Sequence, residues 1–330
     1  MEKKFYFTLL IISLIKSFLL LSGIDRPDLI NQLIFPTSKI NPTDLRAISY
    51  NIRADFPIDQ ENGNGWQVRK YQIKTLLNHY DPDIIGLQEV STCYLPDILE
   101  LFPAYTCIAF EACPKVCDAV LLVKNSRFKI EQANFFWISP ALKNKNPHLT
   151  TYAILQDLKT QRSCACFCTH FDSGATIGMD LRIENAKILI AKQAELAYNL
   201  PTIILGDFNF ITNNKITILK NQTAYNTITE HTGISDVRDL CQKNYGPDGS
   251  WIGWRYDQFA MPPNSIGSRL DQIFVKDYHV LQTGVLNLKI NSKNDTIITP
   301  SQPDFMSTEY PSDHLPIVAD LNFLDIQKTN

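Results

Sequence analysis

The sequence lacks a marked excess of charge of either sign. Its 330 residues carry 31 Lys and Arg against 34 Asp and Glu, which leaves a net charge of −3. Proteins that hold duplex nucleic acid mainly through its phosphates are usually strongly basic. The balance therefore argues against broad coating of nucleic acid, but it leaves room for a small basic cleft.

Cysteine is too sparse for a small disulfide-bonded scaffold, with eight residues in the whole chain. The sequence has no CxxC motif and no histidine-rich segment, which argues against a zinc site. Cys164, Cys166 and Cys168 alternate and would lie on one face of a strand, where such neighbours rarely form disulfides. Cys113 and Cys117 could pair, but we expect buried free thiols.

The longest apolar run lies at the N-terminus. The charged residues of MEKK precede an apolar stretch from Phe5 to Ile15, which Lys16 interrupts. This layout is typical of a secretory signal, since a membrane-spanning helix needs about 20 apolar residues. No A-x-A cleavage site follows, so an uncleaved membrane anchor formed by residues 5–21 is the alternative. We expect residues 1–22 to export the chain to the periplasm or the medium, or to anchor it.

The rest of the chain predicts a linker and one domain. Residues 23–43 contain three prolines and no sustained hydrophobic period, which is typical of a linker. From residue 44 to residue 325, strand-like and helix-like stretches alternate without a second linker, and this predicts a single α/β domain. The segment WQVRKYQIKTLLNHY, residues 66–80, predicts a helix. Its apolar face would comprise Val68, Tyr71, Ile73, Leu76 and Leu77.

Polar side chains end or precede the apolar strands of this domain. They are Asn51, Glu89, His170, Asp207 and Asn209 at strand ends, Asp271 within SRLDQIFV, and Asp313 with His314 before the last strand. Each has an ordinary interpretation as a turn residue, a helix cap, a salt-bridge partner or a core histidine. Their joint occurrence is harder to explain in that way. Strand ends on a rigid sheet are good positions for fixing catalytic groups.

These residue types favour metal-assisted cleavage of a phosphate ester. Carboxylate and amide oxygens suit a hard divalent cation such as Mg²⁺. Histidines with a further set of Asp and Asn can orient water and neutralise charge on the phosphorus oxygens, while a metal assists departure of the leaving oxygen. The pattern therefore predicts a phosphoesterase.

The motifs NI, LQEV, THFDS, GDFN, RLDQIFV and SDHLP occur in the order found in the endonuclease/exonuclease/phosphatase superfamily. The chain resembles that superfamily from about Leu45 to Leu321, and WQVRKYQIKTLLNHYDPDIIGLQEV with FFWISP further resembles a bacterial branch. The group includes pancreatic-type DNases, abasic-site endonucleases, sphingomyelinases, inositol polyphosphate 5-phosphatases and deadenylases. The resemblance implies a DNase I-like fold, a four-layer α/β sandwich of two packed, mainly antiparallel sheets with helices outside.

The resemblance also implies roles for the metal and for the attacking water. Glu89 would be the principal ligand of Mg²⁺, or alternatively of Mn²⁺, with Asn51 and Asp313 close to the metal. Asp207 would orient or deprotonate the water, and Asn209 would help to hold the water and the phosphate.

The two histidines would face the phosphate. His170 and His314 would donate hydrogen bonds to non-bridging oxygens, and Asp271 would hold the ring of His314 in a way that favours the imidazolium form. Gln272 departs from the family pattern, because relatives often carry an aromatic residue there. No residue can be assigned to protonation of the leaving group.

The leading interpretation is an exported, magnesium-dependent phosphoesterase that acts as a monomer on a phosphate ester. A nuclease on DNA or RNA is the alternative within the same fold. A lipid phosphodiesterase of the sphingomyelinase type is another, because the N-terminal segment could reach a membrane and one loop carries several aromatics. These aromatics, which could equally pack against the core, are Trp251, Trp254, Tyr256 and Phe259. A non-catalytic binding module on this scaffold is a different class of function, but every motif position is present.

Overall fold

The structure is a computed structural model, and it describes part of the chain. The described residues are 34–139, 148–173, 178–212, 224–230, 233–253, 268–291, 293–300, 302, 304 and 310–324. The predicted signal or anchor and the first part of the predicted linker lie outside these ranges, as do Trp254, Tyr256 and Phe259. Among the helices within the ranges, none is long and apolar enough to cross a membrane.

Two large sheets form the centre of the domain. The strands, numbered in chain order, are β1 (Leu45–Asn51), β2 (Ile84–Ser91), β3 (Tyr105–Ile108), β4 (Val116–Lys124), β5 (Phe128–Trp137), β6 (Leu149–Asp157), β7 (Ser163–His170), β8 (Thr202–Asp207), β9 (Ser235–Asp236), β10 (Asn244–Tyr245), β11 (Asp271–Lys276), β12 (Tyr278–Val285), β13 (Lys289–Asn291), β14 (Thr296–Ile298) and β15 (Ile317–Phe323). The first sheet has the order β10-β12-β15-β1-β2-β4-β3, the second has the order β5-β6-β7-β8-β11-β9, and β13 pairs with β14.

Most neighbouring strands are antiparallel, as expected. The parallel neighbours are β1 with β2, β7 with β8 and β10 with β12. This mixture matters for the site, because a parallel pair brings two C-terminal strand ends to the same edge of a sheet.

Of the α-helices that the structure describes, the three longest cover the outer faces of the two sheets. The helices include α1 (Pro57–Glu61), α2 (Trp66–Tyr80), α3 (Leu95–Leu101), α4 (Gly178–Ala197) and α5 (Val237–Leu240). One apolar cluster fills the space between the sheets, a second packs α2 and α3 on the first sheet, and a third packs α4 on the second sheet. The predicted four-layer sandwich is therefore confirmed.

The cysteines lie where the sequence pattern places them. Cys164, Cys166 and Cys168 all belong to the apolar cluster between the sheets, while Ala165 and Phe167 face the cluster under α4. All eight cysteines are free in the structure. Five of them are buried, as expected, but Cys93 is exposed and Cys107 and Cys113 are half-buried.

Helix α2 has the predicted bounds, but part of its predicted buried face is wrong. Val68 and Tyr71 are 44% and 50% exposed, whereas Arg69 is only 1% exposed. The Arg69 guanidinium donates to the backbone carbonyls of Ile52 and Asn64. A buried arginine whose donors are satisfied in this way takes a position that hydrophobicity alone assigns to an apolar residue.

The strand directions bring together the strand ends that carry the predicted site residues. β15 runs antiparallel to β1, so the start of β15 meets the end of β1, and β11 likewise places Asp271 opposite Asp207 at the end of β8. The two sheets also approach each other closely here. A Cβ on Gly86 of β2 would lie 2.8 Å from Cβ of Leu205 in β8. A side chain at Gly86 would therefore separate the sheets beneath the site.

Candidate active site

All eight predicted site residues lie at this shared edge. Asn51, Asp207, Asp271, Asp313, His170 and His314 are buried, and Glu89 and Asn209 are half-buried. The roles proposed for them from the resemblance stay predictions, but their convergence from distant parts of the chain is a feature of the structure.

Glu89 is directed into the site by an irregularity in the pairing of β2 with β4. The register shifts between Leu87 and Val90, and Glu89 has a left-handed φ of 60°. Bulges of this kind re-aim a side chain and are common next to active sites. The carboxylate accepts from Asn51 Nδ2 at 2.9 Å through Oε1 and from the backbone N–H of Ala54 at 2.9 Å through Oε2.

Arg53, which the sequence pattern did not single out, bonds Asp313, and its charge also acts on Glu89. Arg53 donates through Nη1 to Asp313 Oδ2 at 3.1 Å and through Nε to Asp59 Oδ2 at 2.9 Å. Burial raises the pKa of Asp313, and the charges of His314 and Arg53 oppose that effect. The one sequence signal for Arg53 is its position two residues after Asn51.

Asp207 lies at the centre of the site. Its Oδ2 accepts from Asn51 Nδ2 at 3.0 Å, and its Oδ1 accepts from the backbone N–H of Asn209 at 3.0 Å. Asn209 has a left-handed φ of 52° and donates its side-chain amide to a backbone carbonyl at 2.9 Å. Nε2 of His170 and Nε2 of His314 each lie 3.8 Å from Asp207 Oδ2.

His314 is held by Asp271, as the resemblance implies. Its Nδ1 lies 2.8 Å from Asp271 Oδ2, and we assign the shared proton to the imidazole nitrogen. Burial lowers the pKa of His314, but the charges of Asp271 and Asp207 outweigh burial and raise the pKa to about 10. His314 is therefore an imidazolium at neutral pH, and its Nε2–H is aimed at the centre of the site.

His170 is held by a carboxylate that the sequence analysis did not identify. Its Nδ1 lies 2.7 Å from Asp118 Oδ1, and the other carboxylate oxygen of Asp118 lies 2.7 Å from Nδ1 of His148. Burial lowers the pKa of His170, but the charges of Asp118, Asp207 and Glu89 raise it to about 10. Burial acts to raise the pKa of Asp118, yet the two histidines bring it below its ordinary value.

A cleft opens beside His170. It has a volume of about 680 Å³. Its walls are formed by Arg53, Ala54, Asp55, Phe56, Glu89, Ser91, Cys93, Cys113, Lys115, Val116, Asp118, His148, His170 and Ser173. Glu89 and His170 thus border the cleft, whereas Asp207 and His314 do not line it.

Oxygen donors of the kind that a hard cation prefers are found on the Glu89 side of the site. Two groups of described residues are close enough to share an ion, Asp118 with His148 and His170, and Asp207 with Asp271 and His314. Within each group, however, imidazole nitrogen and carboxylate oxygen lie 2.7 to 2.8 Å apart, which is a hydrogen-bond distance. The oxygen atoms of Glu89, Asp313 and Asn51 are the donors that suit Mg²⁺.

Known proteins share this fold. An endonuclease/exonuclease/phosphatase family protein from Bacteroides thetaiotaomicron is 25% identical with a TM-score of 0.70, over 87% of this chain and 100% of that one. A mannosyl-6-phosphatase from the same bacterium is 24% identical with a TM-score of 0.68, over 84% of this chain and 100% of that one.

A curated relative is longer than this chain. An uncharacterized protein of Acanthamoeba polyphaga mimivirus is 22% identical over 333 residues, which cover 85% of this chain. The match spans 47% of the viral protein, about half of its length.

The sequence itself matches a defined protein family. Residues 48–314 match the Endonuclease/Exonuclease/phosphatase family, and this range contains all eight predicted site residues. Members of the family are metal-dependent hydrolases of phosphoester bonds. The chain belongs to the Endonuclease/Exonuclease/phosphatase family.

Proposed function

We propose that the chain is a metal-dependent phosphoesterase, which hydrolyses a phosphodiester or a phosphomonoester by attack of water. The observation that carries the proposal is the geometry around Asp207. Nε2 of His170 and Nε2 of His314 each lie 3.8 Å from the same carboxylate oxygen. A proton acceptor therefore lies beside two donors that can face an anion, which is what hydrolysis of a negatively charged ester requires.

Glu89, Asp313 and Asn51 would hold the metal, which we propose to be Mg²⁺, with Mn²⁺ as the alternative. When bound, the cation would polarise a phosphoryl oxygen and stabilise the negative charge that develops on the leaving oxygen. Arg53 donates to Asp313 and its charge acts on Glu89 as well, so it would offset the repulsion between these carboxylates and fix their positions.

Asp207 would accept a proton from the attacking water. Hydrogen bonds from Asn51 and from the backbone of Asn209 fix the positions of both carboxylate oxygens. A positioned proton acceptor contributes about 10²- to 10⁴-fold to such a reaction.

His170 and His314 would bind the non-bridging oxygens of the phosphoryl group. Neighbouring carboxylates raise the pKa of each ring to about 10, which favours the imidazolium form at neutral pH. Each ring uses Nδ1 to bond a carboxylate, so Nε2–H is left to donate to the substrate. These charge-assisted hydrogen bonds would strengthen as negative charge builds in the transition state.

The cleft beside His170 would receive the group that carries the phosphate. A volume of about 680 Å³ suits a small ester. Since one relative is a mannosyl-6-phosphatase, a phosphorylated sugar is the first substrate to test. The net charge of −3 is less suited to a long polynucleotide.

A substrate panel tests this proposal. Sugar phosphates, simple phosphodiesters, sphingomyelin and plasmid DNA would be incubated with the protein in Mg²⁺, in Mn²⁺ and in chelator. We expect metal-dependent release of phosphate or alcohol from at least one small ester, and loss of that release in Asp207→Asn. Cleavage of DNA alone would instead establish the nuclease, and cleavage of sphingomyelin alone the lipid phosphodiesterase. Wild-type protein that binds Mg²⁺ and hydrolyses none of these compounds would favour a binding module.

We further propose that residues 1–22 direct export. The support is the charged and apolar layout of the N-terminal sequence. Expression in the native host followed by N-terminal sequencing should yield periplasmic or secreted protein that begins near residue 23. Full-length chain found in membranes would establish the anchor, and a cytosolic full-length chain would contradict both versions.

A further inference from the structure

We propose that His148 is a third imidazole of the active site and donates a hydrogen bond to a phosphate oxygen of the substrate, beside His170. The inference rests on the proposed function for the identity of the ligand as a phosphate ester. It rests on the structure for the position, orientation and accessibility of the imidazole.

One carboxylate orients both rings. Asp118 Oδ1 lies 2.7 Å from Nδ1 of His170, and Asp118 Oδ2 lies 2.7 Å from Nδ1 of His148. Asp118 has a left-handed φ of 62° in β4, opposite the irregular segment of β2 that carries Glu89. The same distortion of the β2–β4 pairing therefore directs both carboxylates into the cleft.

His148 is fixed at the backbone as well as at the side chain. Its carbonyl oxygen accepts from the backbone N–H of Ile138 at 3.0 Å and from that of Ser139 at 3.3 Å. It directly precedes β6, and the pairing of β6 with β7 places its ring centroid 4.8 Å from that of His170. A ring held at both ends in this way is preorganised for binding.

The second nitrogen of His148 is available to a ligand. The side chain lines the cleft and is 15% exposed, compared with 8% for His170. Within the part of the chain that the structure describes, Nδ1 has Asp118 as its partner and Nε2 has none. When the ring carries both protons, Nδ1–H donates to Asp118 and Nε2–H is left to donate to an anion in the cleft.

The competing interpretation is that His148 acts only through Asp118, as a positioning residue. The two roles depend on different nitrogen atoms and can therefore be separated by substitution. In His148→Asn, the amide nitrogen can replace Nδ1 and keep the bond to Asp118, but nothing reaches the position of Nε2. In His148→Gln, the amide nitrogen can reach the position of Nε2, but the bond to Asp118 is lost.

The experiment measures binding of inorganic phosphate to the full-length protein in Mg²⁺ by calorimetry, and it does not require turnover. We expect His148→Asn to weaken binding by about tenfold or more, as for loss of a hydrogen bond to a charged group, and His148→Gln to retain most of the affinity. His279→Gln, on the exposed face of β12, is the matched control and should bind like wild type. Circular dichroism melting of each variant checks that the fold is retained.

The reverse pattern, with Asn tolerated and Gln not, would overturn the substrate contact in favour of positioning. Wild-type affinity in both variants, or no phosphate binding by the wild type, would overturn it as well. The expected binding pattern without hydrolysis of any ester would support the phosphate contact while the proposed function fails. If the wild type hydrolyses an ester but His148→Asn changes neither phosphate binding nor KM, the proposed function stands and the phosphate contact of His148 fails.

Discussion

The pair His314–Asp271 and the pair His170–Asp118 are built in the same way from opposite sheets. In the first pair, the carboxylate begins β11 of the second sheet and the histidine precedes β15 of the first. In the other pair, the carboxylate lies in β4 of the first sheet and the histidine ends β7 of the second. Each Nε2 lies 3.8 Å from Asp207 Oδ2. Neither pair can form until the two sheets pack.

The two pairs differ in the number of histidines that the carboxylate contacts and in the pKa of that carboxylate. Asp271 contacts one histidine, and burial together with the nearby charge of Asp207 raises the pKa of Asp271 despite the opposing charge of His314. Asp118 contacts two histidines, which bring its pKa below the ordinary value despite burial. Asp118 is therefore the more firmly ionised of the two, and it borders the cleft while Asp271 does not. The similar pairs should respond differently to the same substitution.

The largest effect is expected where the two pairs meet. Asp207→Asn should lower kcat by about 10²- to 10⁴-fold with substrate binding largely retained, because the group is needed in the transition state. Steady-state kinetics on the best substrate would measure this, with the exposed Asp295→Asn as the control. A kcat within threefold of wild type would remove Asp207 from the mechanism.

The next largest loss of activity is expected to distinguish Asp118 from Asp271. Loss of a carboxylate that orients a metal-ligating imidazole costs on the order of 10- to 100-fold, and we expect a similar range for a carboxylate that orients a phosphate-facing imidazole. Asp271→Asn should fall in that range, and Asp118→Asn should be worse by about another tenfold, because it releases His170 and His148 together. Parallel measurement of kcat/KM in both variants is sufficient. Equal losses would mean that His148 adds nothing to the site.

Double variants test whether each pair acts as one unit. Asp271→Asn combined with His314→Ala should be little worse than His314→Ala alone, since the carboxylate acts through the ring. Likewise, His170→Ala combined with Asp118→Asn should be little worse than His170→Ala alone, apart from the further loss caused by releasing His148. His314→Ala is itself expected to be severe. Small, additive losses in a double-mutant cycle would instead indicate buried residues with structural roles only.

The smallest expected effect is on stability. The pKa of His170 is raised to about 10 in the folded chain, against about 6.5 for an unfolded histidine. A raised pKa stabilises the fold fully below pH 6.5, and this contribution is lost as pH rises towards 10. The melting temperature of wild type should therefore exceed that of His170→Gln most at pH 6, and the gap should shrink by pH 10. A gap that widens with pH would contradict the charged state of His170.

Local patterns predicted an α/β domain and polar residues at the strand ends, whereas the four-layer sandwich and the pairing of Asp271 with His314 came from the family resemblance. Apolar strands followed by polar residues identify Asn51, Glu89, His170 and Asp207. Asp118 precedes the apolar run AVLLVK of β4, much as Asp313 precedes the last strand, so the same pattern applied to strand starts could have found it.

Which site residues pair with each other could not be predicted from local patterns. His148 and His170 share Asp118 because β4 packs across β6 and β7, which is a property of the packed sheets. Burial of Arg69 in α2 depends on carbonyl groups from other segments. Contacts of this type are fixed by the tertiary structure and have no periodicity in the sequence.

Whether a metal held by Glu89 drives hydrolysis can be decided from the rate of phosphate-ester cleavage in Mg²⁺ and in chelator. Wild type should lose activity in chelator and regain it when Mg²⁺ is added. Glu89→Gln should keep its melting temperature yet react slower by orders of magnitude at saturating Mg²⁺, because a neutral amide is a poorer ligand for this cation. Full activity in chelator, or in Glu89→Gln, would show that hydrolysis does not depend on a metal held by Glu89.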